Sequence, residues 1–510
     1  MPFPTFHVLL ALVVLGIPAQ PLTSSAQTRS APAKPTSLVS AQDSVRAREI
    51  DRLLRRYAAA GQFNGAVLVA RRGATVYSSA FGLANMEQNA PNTLHTKFQI
   101  ASITKTFTAM LVLRLVDRGK LDLNGKVRQY LPDYPSPAGD SITIEQLLTH
   151  TAGIPGDIGD FPTSGHDFPD RVTKINGDFY TLDELIPMIA ARPALGRPGS
   201  AFRYSSDGYA ILGAILAKVA GKAYEEVLRD EILRPLGMTE SGYVRQTALL
   251  PGRASGYRQT FGGYENSRPI AVTPAGGMYS TVGDLLKLDR ALFSDQVMSA
   301  RAKTLSWQPT SYVTSYGWQV RADSGASAAG AIKVRGTGAL PGFNSYFTRT
   351  LSDSLCVILL VNTRDMTFRL DEITEGVLSV MRGRRPREPQ RSVAQVLAES
   401  VGTLGIEPAI SRYETDRRAG FKGQYLSETE LNSLGYHLLT SGRTGEAIRV
   451  FALNVEAFPN SANTHDSLGE AYMTAGDRDN AIRHYERSIT LDPNNANGVA
   501  MLRKLRSTTP

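Results

Sequence analysis

An apolar stretch that no helix breaker interrupts follows a serine and a lysine three residues apart. Apolar residues recur after Lys105 until Gly119, which predicts a buried helix that ends at a glycine. Ser102 would lie in the first turn of this helix. Because residues three apart share a helix face, the Ser102 hydroxyl and the Lys105 amine are expected to touch, and the helix N-terminus favours a developing alkoxide. The stretch therefore predicts a nucleophile with a base beside it.

The lysine of this pair can act as a base only in an unusual environment. A free lysine side chain has a pKa of about 10.4, so burial or cationic neighbours would have to lower the pKa of Lys105. The Ser-x-x-Lys pattern occurs once in the chain, whereas chance alone predicts about one or two matches in 500 residues. A core helix whose lysine extends its amine to the surface is the alternative interpretation.

The N-terminus has the pattern of a secretory signal. An apolar block from Val8 to Ile17 precedes Ser24-Ser25-Ala26, a typical cleavage pattern, and the block is shorter than the roughly 20 apolar residues that span a bilayer. No Lys or Arg precedes the block, so an uncleaved N-terminus or a misplaced start stays open. Residues 1–26 are predicted to be a signal peptide and residues 27–42 a flexible leader.

Cysteine content and charge limit the compartment and the partners. The single cysteine, Cys356, excludes an intramolecular disulfide, and an exported chain without disulfides fits a bacterial periplasm or the cell exterior. The formal net charge of +9 is spread along the chain, and its densest basic run includes two prolines. We interpret residues 383–391 as a solvated linker, and we expect no nucleic-acid partner and no membrane span after signal cleavage.

The order of strand and helix patterns predicts the fold class. A helical pattern over 43–60 precedes two β-branched runs that Arg72-Gly73 separates, which is a hairpin signature. Helical spacing dominates from 144 to 292, and strand patterns return between 316 and 361 before a closing helix. An antiparallel sheet that begins before a large helical insertion and is completed after it is an α+β fold with helices packed on the sheet. We assign this unit to residues 43–382.

Two further motifs carry candidate functional residues. Tyr204 and Ser206 lie on a turn that enters a helix, where a buried tyrosine hydroxyl can transfer protons, although an ordinary packed aromatic is more common. The second motif, Gly336-Thr337-Gly338-Ala339, follows a short strand pattern. Its glycines let a strand edge approach a substrate and direct backbone N–H groups towards it, and a plain hairpin turn is the alternative.

Together the three motifs resemble those of the serine β-lactamase and penicillin-binding-protein superfamily, most closely its class C β-lactamase-like branch with D,D-peptidases and esterases. The resemblance covers about residues 45–382. It implies that Ser102 attacks a carbonyl while Lys105 and Tyr204 transfer the proton of the serine hydroxyl. It also implies an oxyanion hole made by the backbone N–H groups of Ser102 and Ala339, release of the acyl group by water, and no metal or other cofactor.

Two departures from the family pattern bear on the substrate. Ser206 stands where the family has an asparagine that contacts the substrate and the lysine, and Gly336 stands where a Lys or His usually precedes Thr-Gly. Ser206, Gly336, Thr337 and Gly338 are the expected substrate-binding residues. Strand alternation predicts that Arg335 points away from the direction of position 336, so it does not replace the missing cation.

These observations favour a serine acyl hydrolase that acts on an ester, an amide or a D-amino-acid peptide rather than an efficient β-lactamase. A class C-like β-lactamase and a catalytically weak sensor or adaptor remain as alternatives. An α/β-hydrolase is excluded because the chain contains no Gly-x-Ser-x-Gly.

The C-terminal part repeats itself every 34 residues. Gly435 aligns with Gly469, Ala447 with Ala481, and Pro459-Asn460 with Pro493-Asn494. This period resembles that of tetratricopeptide repeats, and we assign residues 431–505 to an all-α repeat domain. Because about three repeats are usually needed for stability, residues 392–430 are predicted to form a helical cap. The resemblance implies a protein or peptide partner, and a packing appendage is the alternative. His437, His465 and His484 are interpreted as surface or packing residues.

Overall fold

The structure, a computed structural model, describes residues 40–156, 180–244, 248–267, 273–308, 314–364 and 369–507. The predicted signal peptide and residues 27–39 of the predicted leader lie outside the described residues. Among the described helices, none is long and apolar enough to cross a membrane.

The described residues form helices and strands in an order that places eight of the seventeen α-helices between the two halves of the main sheet. The α-helices are α1 (Ala41–Ala59), α2 (Ile103–Asp117), α3 (Val127–Tyr130), α4 (Ile144–Leu148), α5 (Leu182–Ala190), α6 (Ser206–Ala220), α7 (Tyr224–Leu228), α8 (Val282–Ala291), α9 (Ala300–Trp307), α10 (Leu370–Met381), α11 (Val393–Leu404), α12 (Ile406–Arg418), α13 (Glu428–Thr440), α14 (Thr444–Ala457), α15 (Ala462–Ala475), α16 (Arg478–Leu491) and α17 (Ala496–Ser507). The strands are β1 (Gly65–Arg71), β2 (Ala74–Phe81), β3 (Leu83–Asn85), β4 (Ala90–Pro91), β5 (Phe98–Gln99), β6 (Gly242–Tyr243), β7 (Tyr257–Thr260), β8 (Gly263–Asn266), β9 (Met278–Ser280), β10 (Thr314–Ser315), β11 (Trp318–Ala322), β12 (Ile332–Leu340), β13 (Phe343–Thr350), β14 (Leu355–Val361), β15 (Thr363–Arg364), β16 (Arg391–Ser392) and β17 (Gln424–Tyr425).

The largest sheet in the described part of the chain has seven antiparallel strands in the order β10-β11-β12-β13-β14-β1-β2. The N-terminal hairpin therefore joins the sheet next to β14, with Val67 opposite Leu359. This arrangement confirms the predicted α+β fold, in which a sheet begun before the helical segment is completed after it. It also brings β12 and the start of α2 together, although more than two hundred residues separate them in sequence.

The sheet separates two hydrophobic cores because side chains alternate across each strand. On one face, Val67, Val357 and Leu359 pack against α1 and α10. On the other face, Leu68, Ile358 and their neighbours pack against the helices of the insertion, including α2, α6 and α8. All seven residues of β14 are buried, which explains why this strand reads as a continuous apolar run. Each fully buried aliphatic side chain of this kind contributes about 1.5–3 kcal/mol.

Two boundaries differ from the sequence prediction. Helix α1 begins at Ala41, and the Ser40 hydroxyl accepts a hydrogen bond from the backbone N–H of Asp43 at 3.0 Å. The last two residues of the predicted leader are thus helical, since a serine cap fixes the start of the helix. Strand β12 extends to Leu340, so Gly336–Ala339 lies inside a strand and not in a turn after one.

Helices α13 to α16 form the two predicted repeats, and α17 packs on the second repeat. Each repeat places a glycine of its first helix against an aromatic ring of its second helix. A Cβ at Gly435 would lie 2.5 Å from Phe451, and a Cβ at Gly469 would lie 3.3 Å from Tyr485. This contact explains why small and large residues recur together at the 34-residue period. Helices α11 and α12 occupy the region where the cap is predicted.

Candidate active site

Ser102 and Lys105 lie where the first turn of α2 meets the end of a short strand. The strand β5 pairs with β9, and the Ile100 carbonyl accepts a hydrogen bond from the Ser345 hydroxyl at 2.7 Å. Ala101 takes a left-handed backbone conformation with φ of 49°, which turns the chain from this strand into the helix. Lys105 Nζ lies 3.1 Å from Ser102 Oγ, as the helical spacing predicts.

The Lys105 side chain is buried and has three oxygen neighbours. Its Nζ donates hydrogen bonds to Ser102 Oγ, to Ser206 Oγ and to the Ala275 carbonyl, each at 3.1 Å. The lysine is only 2% exposed, which is unlike the surface lysine of the alternative interpretation. Ser206 at the start of α6 lacks the family's amide, yet its hydroxyl keeps the contact with Lys105.

Tyr204 completes the group around the serine. Its hydroxyl donates a hydrogen bond to Ser102 Oγ at 3.0 Å, and its ring centroid lies 4.8 Å from Lys105 Nζ. The sequence prediction of a buried tyrosine is wrong, because Tyr204 is 42% exposed. It precedes α6 on a turn, outside the packed face of that helix. Both Lys105 and Tyr204 therefore reach Ser102, and the tyrosine also reaches solvent.

His150 belongs to the site although it was not among the predicted site residues. The ring stacks on Tyr204 with 4.5 Å between centroids and 28° between planes. Its Nδ1 accepts a hydrogen bond from the backbone N–H of Ser205 at 3.0 Å. Burial, with a smaller effect of the positive charge of Lys105, lowers the pKa of His150 to about 3, so the ring is neutral. His150 lies in the segment Leu147–Ile154, which resembles a corresponding segment of the β-lactamase and penicillin-binding-protein superfamily, and this resemblance is the sequence signal that could have identified it.

Strand β12 presents its two motif glycines to α2. A Cβ at Gly338 would overlap the Ile100 carbonyl oxygen, and a Cβ at Gly336 would lie 3.1 Å from Thr106 Oγ1. Strand β12 can approach the residues just before Ser102 because position 338 has no side chain. Thr337 faces the opposite side, where its hydroxyl accepts a hydrogen bond from Gln319 Nε2 at 3.0 Å.

The edge of β12 near the serine has a partner on one side only. Strand β11 pairs with residues 332–335 of β12, while β13 pairs with residues 333–340. From Gly336 to Leu340, the edge opposite β13 therefore has no strand partner among the described residues. Ala339 lies in this part of the strand and is exposed. Its backbone N–H remains a predicted member of the oxyanion hole.

Comparison with known proteins identifies the family. The sequence model of the β-lactamase family matches residues 50–380. The chain belongs to the β-lactamase family. A tetratricopeptide-repeat model matches residues 462–495.

Two relatives agree with this membership, and a solved structure shares the fold. PbpX of Bacillus subtilis (strain 168), which bears the name of a penicillin-binding protein, is 30% identical over 59% of this chain and 71% of its own length. Penicillin-binding protein 4* of the same organism is 26% identical over 78% of this chain and 90% of its own length. The D-amino acid amidase of Ochrobactrum anthropi SV3 shares the fold, with a TM-score of 0.57, 23% identity and coverage of 67% of this chain and 99% of that chain.

In this β-lactamase-family domain, neither of the two cationic residues of β12 replaces the cation that is missing at Gly336. Arg335 forms an ion pair with Asp371, and Lys333 forms one with Glu375. Both carboxylates belong to α10, on the face of the sheet opposite to α2. The predicted direction of Arg335 is confirmed, because strand alternation sends positions 333 and 335 away from the serine. Among the described residues, no group of three His, Cys, Asp or Glu side chains is placed to hold a metal ion.

Proposed function

We propose that the protein is a serine acyl hydrolase that works through an acyl-enzyme. Ser102 Oγ forms a bond to a substrate carbonyl carbon, and the bond from that carbon to its alcohol or amine leaving group breaks. Lys105 accepts the serine proton, Tyr204 donates its hydroxyl proton to the leaving group, and the proton taken up by Lys105 then replaces the one that Tyr204 gave up. Water then cleaves the ester to Ser102 and restores the hydroxyl. The observation that carries this proposal is the convergence of Lys105 Nζ and Tyr204 Oη on Ser102 Oγ, at 3.1 and 3.0 Å.

The surroundings of Lys105 support its role as the base. A neutral amine has two N–H donors and one lone pair. The Ala275 carbonyl can only accept a hydrogen bond, and Ser206 Oγ can accept a second one. If these two oxygens take both N–H donors, the lone pair of the amine is left for the Ser102 hydroxyl. Such an arrangement is the activated nucleophile of covalent catalysis, in which a neighbouring base removes the hydroxyl proton.

The charges around β12 favour a substrate without a free carboxylate next to the reacting group. Gly336 supplies no cation, and Arg335 and Lys333 are paired with α10. We therefore propose esters, amides and D-amino-acid amides or peptides as the substrate class. A class C-like β-lactamase is the second candidate, and the family membership together with the named penicillin-binding relatives supports it.

Labelling and turnover test the proposal. A fluorophosphonate probe should label the purified protein at Ser102, and the label should be absent from Ser102→Ala. Hydrolysis of short-chain nitrophenyl esters and of D-amino-acid amides is expected to exceed that of nitrocefin. Faster turnover of nitrocefin would support the β-lactamase instead. A folded protein whose Ser102 reacts with neither the fluorophosphonate nor a fluorescent penicillin would overturn the enzyme and support the sensor or adaptor.

We further propose that residues 1–26 direct export to the periplasm or the cell exterior, and that the repeats bind a protein or peptide partner. The sequence pattern of the N-terminus and the match of residues 462–495 to tetratricopeptide repeats support these two proposals. Sequencing the N-terminus of protein recovered from the periplasm or medium tests the first one. A mature chain that retains Met1 in the cytoplasm would contradict it.

A further inference from the structure

We propose that His150 is a positioning residue that holds Tyr204 in hydrogen-bonding contact with Ser102. The inference rests on the proposed function, since it assigns a task to a residue that acts on Ser102 only through Tyr204. It goes beyond the three residues that would transfer protons, because His150 itself has no hydrogen bond to the nucleophile.

His150 forms hydrogen bonds to the backbone on both sides of Tyr204. Its backbone carbonyl accepts a hydrogen bond from the N–H of Arg203 at 2.7 Å. Its ring Nδ1 accepts one from the N–H of Ser205 at 3.0 Å. Between these two anchors, the imidazole stacks on the ring of Tyr204. One residue therefore fixes the backbone before and after the tyrosine and the face of its ring.

The hydrogen bonds also define the state of the imidazole. Because Nδ1 accepts from Ser205, the proton of the neutral ring lies on Nε2. That nitrogen is buried and has no hydrogen-bond partner among the described residues. A buried donor without a partner costs about 1–3 kcal/mol, so packing alone would favour an apolar side chain here. An apolar side chain, however, would not supply an acceptor for the Ser205 N–H, as Nδ1 does.

Tyr204 needs such support because it is half-exposed. Its hydroxyl must stay within hydrogen-bonding distance of Ser102 Oγ, which is 3.0 Å away, while part of its side chain faces solvent. A stacked neutral ring restricts the tyrosine side chain without adding a positive charge close to Lys105. His150 is itself fixed by a left-handed backbone with φ of 58° and by ring contacts with Phe202 and Tyr209 at 5.8 and 5.2 Å.

Two substitutions separate the functions of the ring and of the acceptor. His150→Asn keeps an oxygen in place of Nδ1 for the Ser205 N–H and suits a left-handed backbone, but it removes the stacked ring. His150→Phe keeps a ring against Tyr204 but removes the acceptor, and it is less compatible with that backbone. We expect H150N to keep the wild-type Tm within a few degrees and H150F to lower it. The order of acylation rates should be the reverse, with H150N slower than H150F.

A double-mutant cycle with Tyr204→Phe tests whether the effect passes through the tyrosine hydroxyl. H150N should slow fluorophosphonate labelling of Ser102 by about 10- to 100-fold, as expected when a proton-transferring group is misplaced. In the Y204F background, H150N should cause little further loss. Equal losses in both backgrounds, or no loss in either, would overturn the positioning role. A purely structural histidine would change Tm and leave the rate of the folded protein unchanged.

A readout without turnover separates this inference from the proposed function. If wild-type Ser102 does not react, the proposed function fails, and the position of Tyr204 can still be measured. In protein labelled with ¹³C-tyrosine, the Tyr204 resonance is assigned by its absence from Y204F. The ring current of the stacked imidazole predicts that this resonance shifts in H150N and moves less in H150F. A Tyr204 resonance that H150N leaves in place would overturn the inference.

Discussion

Phe261 packs against His437, with 6.0 Å between the ring centroids. Phe261 lies between β7 and β8 in the β-lactamase-family domain, and His437 lies on α13 in the first repeat. The other end of the same hairpin meets the turn after β12, since a Cβ at Gly342 would lie 2.6 Å from Gly256 and 2.7 Å from Ser267. The repeat domain is thus joined through one hairpin to the strand that carries Ala339.

Phe261→Ala should loosen the contact between the two domains. Phe261 packs against the core of the repeat domain, and losing a partly buried ring should cost about 1–2 kcal/mol of stability in that contact. We expect faster hydrogen exchange in α13 and in the β7–β8 hairpin. Leu249→Ala is a matched control, because Leu249 is an apolar residue that is 97% exposed. Identical exchange in both variants would show that the hairpin does not stabilise α13.

Ser206→Ala should reduce catalysis without unfolding the protein. The change removes one of the three oxygens that contact Lys105 Nζ, so the amine is less well oriented towards Ser102. We expect kcat/KM to fall by about tenfold, which corresponds to the usual value of one such hydrogen bond. Ser206→Asn, which restores the amide typical of the family, should recover more activity than alanine does. If S206A were as active as wild type, Ser206 would have no part in orienting the lysine.

Alanine at the two glycines of β12 should have unequal effects. A methyl group at Gly338 would overlap the Ile100 carbonyl oxygen, whereas one at Gly336 would meet only side chains, those of Thr106 at 3.1 Å and Ile103 at 3.4 Å. Gly338→Ala should therefore lower the free energy of unfolding by about 1–3 kcal/mol or more and abolish labelling of Ser102. Gly336→Ala serves as the control and should retain most of the stability and most of the labelling of Ser102. Thermal unfolding and fluorophosphonate labelling of the two variants give the comparison.

Stability should depend on pH through His150. Burial holds the pKa of this histidine at about 3 in the folded protein, against an ordinary value of 6.5. Below that ordinary value the unfolded chain binds a proton that the folded chain does not bind. The contribution of His150 to the free energy of unfolding is therefore fully present above pH 6.5. It decreases as the pH falls below that value, by up to roughly 1.4 kcal/mol per pH unit. When the Lys105 amine is protonated, its charge also helps to lower the pKa of His150.

Urea unfolding of wild type and His150→Asn at several pH values measures this effect. Because asparagine does not titrate, the difference in unfolding free energy between the two proteins should change in favour of H150N as the pH falls from 7 to 4. All other titrating groups are shared and cancel in the difference. Parallel pH dependences would mean that His150 is protonated as readily in the folded state as in the unfolded one.

The sequence by itself determined the parts of the protein that depend on local periodicity. The three-residue spacing of Ser102 and Lys105 places both side chains on one helix face, whatever the rest of the chain does. Alternation along β12 likewise sends Arg335 away from the serine, and the 34-residue period fixes the glycine–aromatic contacts of the repeats. These relationships follow from helix and strand geometry, so a pattern of residue types is enough to predict them.

Only the tertiary structure decided what surrounds the lysine and the tyrosine. Ser206 and Ala275 are 101 and 170 residues from Lys105 in sequence, yet both contact its amine. The stacking of His150 on Tyr204 and the exposure of that tyrosine depend on how the turn before α6 packs against the segment after α4. Contacts between distant segments leave no periodic signal, because they depend on the packing of whole elements rather than on the spacing of residues within one.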